Sequence, residues 1–309
     1  MAVTPEGHGP MNSNLLTGYT LPTTAAASAL RAKAELRAAL EPAKRRGLTI
    51  GLVPTMGYLH EGHLSLLRAA RAECDVVVIS LFVNPTQFGP GEDLERYPRD
   101  EDRDLRLAAE AGADFVFAPD VAEVYPEGFA SRVEVGGQLT EVLDGDAGRR
   151  GPEHFRGVTT VVAKLFNVVG PDVAYFGQKD AQQAAVIRRM VRDLDFPVRI
   201  EVLPTVREPD GLAMSSRNAY LEPADRQRAT AISRALAAAE REAHAGSLAA
   251  GLEAARRELA SAGIEPEYLE AREAETLAPV AELGQRPVLV AVAARVGAAR
   301  LIDNVLIQP

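Results

Sequence analysis

Cysteine is almost absent from the sequence, with one residue, Cys74, in a chain of 309. A single cysteine excludes an internal disulfide, and so few thiols are typical of proteins in a reducing cytosol. The first 18 or so residues contain Gly, Pro, Asn and Ser but no charged start followed by an apolar stretch, which excludes a signal peptide. We expect residues 1–18 to be a flexible N-terminal tail and the protein to be cytoplasmic.

Long hydrophobic runs and blocks of positive charge are also missing. The longest apolar run, Val76–Val83, is interrupted by Ser80 and is far shorter than the roughly 20 residues that span a membrane. The net charge is −9 without any cluster of Lys and Arg, which disfavours a large nucleic-acid partner. A small anionic substrate needs only a few local cations and backbone amides, so it remains compatible with this charge.

The composition that is present is that of a globular protein, with 47% hydrophobic and 25% charged residues. A chain of 309 residues is longer than a single core usually supports, which suggests two domains. The secondary-structure pattern changes in the last third of the chain, and this places the boundary near residue 205.

Predicted strands and helices alternate through the first two thirds of the chain. Helices are expected at residues 24–46, 63–72, 99–111, 158–169 and 180–193, and strands at 48–53, 75–83, 114–117, 173–176 and 198–203. Such alternation gives right-handed crossovers and a mostly parallel sheet with helices on both faces. We predict a Rossmann-like α/β domain over residues 19–205, with ligands bound at the carboxyl ends of its strands.

The last third has a different order of elements. Two Ala-rich helices precede three strand-like segments, at residues 223–244, 247–261, 265–271, 287–296 and 299–308. Helices followed by strands without alternation indicate a small α+β domain. We expect residues 206–309 to form a smaller C-terminal lid domain.

The first candidate site is the segment Pro54–His63, which reads PTMGYLHEGH. It follows a predicted strand and opens a predicted helix, where free N–H groups attract phosphate. His60 and His63 lie on one helical face and add imidazole donors, while Gly62 allows close approach of a ligand. Capping histidines or a zinc site are the alternatives, but no cysteine or third histidine stands at ligand spacing.

The second candidate site is Val83–Gly89, at the end of the second predicted strand. Asn84 and Gln87 supply neutral hydrogen-bond donors and acceptors there. The alternative interpretation is a turn that Asn84 and Pro85 build and Gly89 ends.

The third candidate site is Phe176–Gln183, which again joins a strand to a helix. Lys179 would neutralise phosphate charge, and Asp180 would accept a hydrogen bond from a ribose or base. Gln183 would point inward one turn into the helix. A solvated first helical turn is the alternative.

The fourth candidate site is Arg207–Asn218, which reads REPDGLAMSSRN. Ser215 and Ser216 stand beside Arg217, after a glycine hinge at Gly211. Small hydroxyls and an arginine in this arrangement suit a mobile loop that closes on phosphates. Taken alone, the segment also fits a polar interdomain loop.

One acidic run is less specific. Asp100–Asp104 suits either a Mg²⁺ ion or a solvated helix face. Charge runs are more often solvated helix faces than metal sites, so the second interpretation is favoured.

These segments resemble a known family. His60–His63 is similar to the HxGH signature of the adenylyl-transferring superfamily, which includes class I aminoacyl-tRNA synthetases and nucleotidyltransferases. The longer string Val53–His63 resembles pantothenate synthetases, and so do the run Asp93–Arg99 and the loop Met214–Asn218. The resemblance extends over nearly the whole chain, from about residue 19 to residue 307.

The resemblance implies a reaction, a metal and an assembly. The reaction is ATP-dependent condensation of (R)-pantoate with β-alanine to give pantothenate, AMP and pyrophosphate, through a pantoyl adenylate. Mg²⁺ accompanies ATP, and the chain forms a homodimer through its N-terminal domain. A different adenylyl-transferring enzyme and a catalytically inactive ATP-binding regulator are the alternatives. The acidic balance and the Ser-Ser-Arg-Asn loop oppose the first, and intact His60, His63 and Lys179 oppose the second.

The resemblance also implies roles for individual residues. His60, His63 and Lys179 are the catalytic candidates, while Gln87 and Gln183 bind pantoate. The residues expected to hold the nucleotide are Met56, Gly57, Tyr58, Leu59, His60, Glu61, Gly62, His63, Gly177, Gln178, Lys179, Asp180, Val206, Met214, Ser215, Ser216 and Arg217. The metal ligands and the contacts with β-alanine stay open.

Two stretches carry the resemblance less directly. The family often has Glu where Gln178 stands here, and this difference weakens a role for that side chain. The stretch around His154 is similar to one beside the family's pantoate pocket. There Val158, Val161 and Val162 are expected to form the wall, and His154 is expected to be structural.

Overall fold

The structure, a computed structural model, describes residues 29–309. The expected tail at residues 1–18 lies outside the described residues, as does the start of the helix predicted at 24–46. The described chain forms two sheets, one of five strands and one of three.

The first part of the described chain alternates helices and strands, as the sequence predicts. Its elements are α1 Lys33–Arg45, β1 Ile50–Thr55, α2 Glu61–Glu73, β2 Val76–Leu81, α3 Glu101–Glu110, β3 Phe115–Phe117, α4 Val121–Val124, α5 Pro152–Val169, β4 Val173–Gly177, α6 Ala181–Asp193 and β5 Arg199–Leu203.

Two of these helices begin earlier than predicted. Helix α2 starts at Glu61 because the side chain of His60 accepts a hydrogen bond from the backbone of Gly62 and so caps the helix. Helix α5 starts at Pro152, where the fixed φ of proline suits the first helical position. The earlier start places His154 inside a helix.

The five-stranded sheet is parallel throughout, in the order β3-β2-β1-β4-β5. Alternate residues of each strand point to opposite faces. On β2, Val76 and Val78 belong to the apolar cluster that includes residues of α1, α5 and α6, whereas Val77 and Ile79 belong to the cluster that includes residues of α2 and α3. Because both faces are covered by helices, the strands are apolar along most of their length, and the predicted fold class is confirmed.

The order of strands reverses at the centre of this sheet. From β1 the chain moves outward to β2 and β3, and it then returns to the other side of β1 as β4 and β5. The connections leaving β1 and β4 therefore diverge over opposite faces and leave a crevice at their carboxyl ends.

The rest of the chain forms a layer of two helices on an antiparallel sheet. Helices α7 Pro223–Ala245 and α8 Leu248–Ser261 pack on one face of β6 Pro266–Glu273, β7 Val288–Val296 and β8 Ala299–Ile307. This confirms the predicted smaller α+β part.

The other face of the antiparallel sheet packs against the first part of the chain. Tyr268, Leu289 and Ala291 pack with Leu143, which precedes α5, and with Ala181 at the start of α6. A buried apolar contact thus joins the antiparallel sheet to the first part of the chain. Among residues 29–309, no helix is both long and apolar enough to cross a membrane.

Candidate active site

A cleft of about 200 Å³ opens at the carboxyl ends of β1, β2 and β4. All four segments singled out from the sequence contribute to it. Of the predicted site residues, it is lined by Met56, His60, Gly62, His63, Gln87, Gly177, Lys179, Asp180, Gln183, Val206, Met214, Ser215, Ser216 and Arg217. Segments far apart in the sequence therefore meet in one place.

His60 and His63 are held in a fixed arrangement at the start of α2. Nδ1 of His60 accepts from the backbone N–H of Gly62 at 3.1 Å, and Nδ1 of His63 accepts from the backbone N–H of His60 at 3.3 Å. The two rings stack with their centroids 4.0 Å apart. A neutral imidazole that accepts at Nδ1 carries its proton on Nε2. Each ring therefore retains one N–H donor for a ligand.

The two imidazoles are uncharged at neutral pH. Burial lowers the pKa of His60 to about 4, and the nearby Lys179 contributes to the shift. Burial also holds the pKa of His63 well below its usual range, with His60 and Lys179 adding to the effect. A phosphate in the cleft would meet two neutral donors, and positive charge would come from Lys179, whose Nζ lies 3.6 Å from a carboxylate oxygen of Asp180.

The turn that carries Lys179 is fixed from the C-terminal sheet. Asn304 on β8 is 5% exposed, and its Nδ2 donates to the backbone oxygens of Gln178 and Lys179, each at 2.9 Å. The side chain of Gln178 donates back to Oδ1 of Asn304 at 2.9 Å. Gln178, expected to bind the nucleotide, instead joins the two sheets.

The backbone amides of Tyr58 and Leu59, expected to bind phosphate, have a partner within the protein. Both N–H groups donate to the carboxylate of Asp104. The amide of Gly57 donates to Thr55 Oγ1 at 3.2 Å, and Glu61 forms an ion pair with Arg68 at the surface. The predicted residues Gly57, Tyr58, Leu59 and Glu61 lie outside the lining of the cleft.

The acidic run Asp100–Asp104 is not a metal site in the structure. Asp100 caps α3 by accepting from the backbone N–H of Arg103 at 3.2 Å, and Asp104 is buried beneath the loop that leads to His60. Within the described part of the chain, no three His, Cys, Asp or Glu residues lie close enough together to hold a metal ion.

The loop with the two serines is folded over the cleft. The backbone N–H of Met214 donates to Val206 at 3.0 Å, and Oγ of Ser216 lies 3.4 Å from the backbone oxygen of Tyr58. Arg217, expected on phosphate, instead pairs with Asp93 through two hydrogen bonds of 2.9 Å. The loop is thereby tied to the segment that follows Gln87.

Amides and valines also line the cleft. Gln87 is 8% exposed, and its Oε1 accepts from Asn84 Nδ2 at 3.1 Å while its Nε2 lies 3.2 Å from Met56 Sδ. Gln183 lies one turn into α6 and lines the same space. The valines expected in the wall also line it, namely Val158, Val161 and Val162.

Three residues support the site in ways that the sequence did not predict, namely Asp93, Asp104 and Asn304. For Asp104 a signal exists, because it stands on the buried face of α3 with Ala108 and Ala111. A carboxylate on an apolar helical face needs a buried partner. For Asp93 and Asn304 the sequence pattern holds no comparable signal.

Comparisons with known proteins identify the family. A family model described as pantoate–β-alanine ligase matches residues 28–306. The chain belongs to this family. Membership makes the protein an enzyme of the ligase class and agrees with the resemblance seen in the four segments.

Individual relatives and solved structures agree. The chain is 56% identical over 282 residues to a pantothenate synthetase of Moorella thermoacetica, covering 90% of this chain and 98% of the relative. The crystal structure of pantothenate synthetase from Thermus thermophilus matches with a TM-score of 0.85 and 51% identity, covering 91% of this chain and 99% of that one. A pantoate–β-alanine ligase from Francisella tularensis, complexed with β,γ ATP and β-alanine, matches with a TM-score of 0.76 and 33% identity, covering 91% and 98%.

His154 contacts the backbone of Gln87 and has a structural role. Its Nδ1 lies 2.7 Å from the backbone oxygen of Gln87, and its Nε2 lies 3.0 Å from a guanidinium nitrogen of Arg150. A guanidinium only donates, so Nε2 accepts and Nδ1–H donates to the carbonyl. Burial, with Arg150 adding to it, lowers the pKa of His154 to about 4.

The low pKa values of His60 and His154 predict how the free energy of unfolding depends on pH. The folded pKa values of His60 and His154 lie near 4, below the ordinary value of 6.5. Protons then bind the unfolded chain first, so stability present above pH 6.5 is lost as the pH falls toward 4. We expect His154→Gln to make this decline shallower by up to about 1.4 kcal/mol per pH unit within the window.

Urea unfolding at several pH values across this window measures the slope. The matched control is His244→Gln, which replaces an exposed histidine on α7. A slope in His154→Gln equal to that of the parent protein would contradict a neutral, buried His154.

Proposed function

We propose that this cleft binds ATP with its magnesium, pantoate and β-alanine, and joins the two acids through a pantoyl adenylate. The observation that carries the proposal is the convergence of two sets of groups on one cleft. Neutral imidazole donors, Lys179 and the two loop serines form the first set, and the amides of Gln87 and Gln183 form the second. The first set suits a triphosphate and the second suits a small hydroxy acid.

The first step requires alignment more than acid–base chemistry. The pantoate carboxylate is ionised at pH 7 and is already a nucleophile. It attacks the α-phosphorus of ATP, the bond to the β-phosphate oxygen breaks, and pyrophosphate leaves. His60, His63 and Lys179 stabilise the charge that develops on the phosphate oxygens, and they are preorganised by the hydrogen bonds described above.

The nucleoside is held at the end of β4. Gly177 gives close approach to the backbone, Asp180 accepts from the ribose or base, and Val206 and Met214 also line the cleft. Ser215, Ser216 and Arg217 join the phosphates as the loop closes further. Arg217 then leaves Asp93, since one guanidinium cannot hold both a carboxylate and a phosphate in the same bidentate geometry.

Pantoate is held by neutral groups for a chemical reason. An arginine would bind the carboxylate strongly but lower its nucleophilicity. The amides of Gln87 and Gln183 accept from the pantoate hydroxyls and donate weakly to a carboxylate oxygen, so the acid is oriented without being neutralised. In the second step the amine of β-alanine attacks the acyl carbon, AMP leaves, and the amide bond of pantothenate forms.

Magnesium enters with ATP as part of the substrate. Within residues 29–309 no cluster of metal-ligating side chains is present. The ion is therefore held largely by phosphate oxygens and water, as Mg²⁺ commonly is in nucleotide sites.

The assembly proposed is a cytoplasmic homodimer formed through the N-terminal part. It rests on the family resemblance and, for the compartment, on the single cysteine. Sedimentation equilibrium of the full chain should give about twice the mass of 33.0 kDa. A mass of one chain at micromolar concentration would remove the dimer from the proposal.

The adenylate mechanism predicts partial reactions in the absence of β-alanine. Pantoate alone should drive exchange of labelled pyrophosphate into ATP. His63→Ala and Lys179→Ala should each slow this exchange by roughly 10²–10³-fold, as expected for loss of a preorganised transition-state donor. Circular dichroism should show the parent fold in both.

Two results would count against this mechanism. Exchange that requires β-alanine would exclude a pantoyl adenylate formed before the amine binds. Normal single-turnover adenylation in His63→Ala or Lys179→Ala would remove that residue from the catalytic set.

Adjacent glutamines on α6 allow a controlled test of the substrate pocket. Gln183→Ala and Gln87→Ala should weaken pantoate binding about ten-fold or more while ATP binding stays near that of the parent, since a buried partner loses its hydrogen bond. Gln182 faces away from the cleft: its amide donates to the backbone oxygens of Leu139 and Val142, and it accepts from the backbone N–H of Asp144.

Gln182→Ala is therefore the matched control. It should lower the free energy of unfolding and leave pantoate affinity within about two-fold of the parent. Calorimetry with each ligand separates the effects. Unchanged pantoate binding in both Gln87→Ala and Gln183→Ala would show that the pocket lies elsewhere.

A further inference from the structure

A buried carboxylate lies directly beneath the loop that leads into His60. Asp104 on α3 is 2% exposed. Its Oδ2 accepts from the backbone N–H of Tyr58 at 2.6 Å, and its Oδ1 accepts from the backbone N–H of Leu59 at 2.7 Å. Both oxygens accept from amides, so the group acts as a carboxylate with one partner on each oxygen.

The loop has an unusual backbone shape at this contact. Tyr58 has a φ of 52°, in the left-handed region that residues with side chains rarely adopt. Gly57 has a φ of 80°, and a Cβ built there would lie 3.0 Å from Oδ2 of Asp104. Two consecutive residues in left-handed conformations turn neighbouring N–H groups toward one point, and the carboxylate occupies that point.

Arg103 holds the same loop from the next position of α3. Its guanidinium donates to the backbone oxygen of Leu59 at 2.9 Å and lies over the ring of Tyr58, 5.6 Å from the centroid. Asp104 thus accepts from the backbone N–H of Leu59, and Arg103 donates to its backbone oxygen. Since Leu59 itself is 1% exposed, the residue before His60 is fixed on every side.

The fixed position of Leu59 also determines the positions of the two imidazoles. The backbone N–H of His60 is the group that Nδ1 of His63 accepts from, so the position of His60 sets the orientation of both rings. Asp104 itself does not line the cleft. Whatever it contributes to the reaction must pass through the loop.

We propose that Asp104, assisted by Arg103, is a positioning residue for adenylate formation. It holds the left-handed loop at Gly57–Leu59 so that the Nε2–H donors of His60 and His63 are aimed at the phosphates before ATP binds. The inference rests on the proposed role of these two imidazoles. Donors aimed in this way stabilise the transition state more than the bound substrate. Loss of the contacts that Asp104 and Arg103 make with the loop should therefore lower the rate of adenylate formation more than the affinity for ATP.

The decisive variant is Asp104→Asn, which keeps the shape of the side chain. The amide oxygen still accepts one N–H, but its NH₂ group opposes the other N–H. We expect kcat for pantoate-dependent pyrophosphate exchange to fall roughly 10- to 100-fold, as for a catalytic group displaced by about 1 Å. The KM for ATP and the affinity for pantoate should change less than about three-fold, because Asp104 does not contribute to binding the substrates in their ground state.

The matched control is Asp102→Asn, two positions away on the same helix and exposed to solvent. It makes the same chemical change without touching the loop, so its kcat should equal that of the parent. The second variant is Arg103→Gln, whose side chain is 40% exposed and whose replacement buries no new polar group. Arg103→Gln should also lower kcat, by a smaller factor than Asp104→Asn. If Asp104→Asn fails to fold, Arg103→Gln tests the positioning role instead.

The outcomes separate this inference from the proposed function. Absence of exchange in the parent protein overturns both. Exchange in the parent that is retained in a folded Asp104→Asn, or in Arg103→Gln where the first variant does not fold, overturns only the positioning role. A loss of kcat that excess Mg²⁺ restores would show Asp104 to be a metal ligand, and a parallel loss of pantoate affinity would show a general structural role; either result overturns the proposal.

Discussion

The site depends on the pairing of one central strand. Strand β1 is hydrogen-bonded in parallel to β2 on one side and to β4 on the other, so the chain leaves all three strands at the same edge. Helix α2 packs close to β1 because Gly51 has no side chain; a Cβ there would lie 3.0 Å from Cys74 Sγ and 3.4 Å from Ala70 Cβ. The start of α2, with its two histidines, is thereby fixed over the end of the strand that bears it.

Side chains that accept from backbone N–H groups then decide which donors remain free in the cleft. The start of a helix normally offers free amides to an anion. Here the amides of Tyr58 and Leu59 are taken by Asp104, and that of Gly62 is taken by His60. In the proposed function, donation to phosphate falls instead to imidazole Nε2–H groups, to Lys179 and to the loop serines. Side-chain donors can be aimed individually, whereas amides at a helix start share one direction.

Local patterns were enough to predict the fold class and the four segments that meet in the cleft. Apolar periodicity gave the alternation of strands and helices, and each motif was recognisable within about ten consecutive residues. The partners that hold those motifs could not be predicted in this way. Asp104 lies 45 residues from Leu59, Arg217 lies 124 from Asp93, and Asn304 lies 125 from Lys179. Such pairs depend on how whole elements pack, and residue spacing along the chain does not encode that packing.

The same contacts indicate which part of the molecule is free to close on a substrate. The antiparallel sheet is tied to the first part of the chain by buried groups: Arg300 and Tyr268 both donate to Asp144, which is 6% exposed, and Asn304 holds the turn at Lys179. Removing one partner of a buried ion pair is costly, because the remaining charge stays unsolvated. The serine-bearing part of the loop, Met214–Asn218, is tied across the cleft by the ion pair of Arg217 with Asp93, and a phosphate would offer Arg217 another anionic partner. Arg207, by contrast, is bonded to the buried Asp303 of β8, which anchors the start of the loop to the antiparallel sheet. We therefore expect closure over a substrate to be a movement of Met214–Asn218, with the C-terminal sheet as its support.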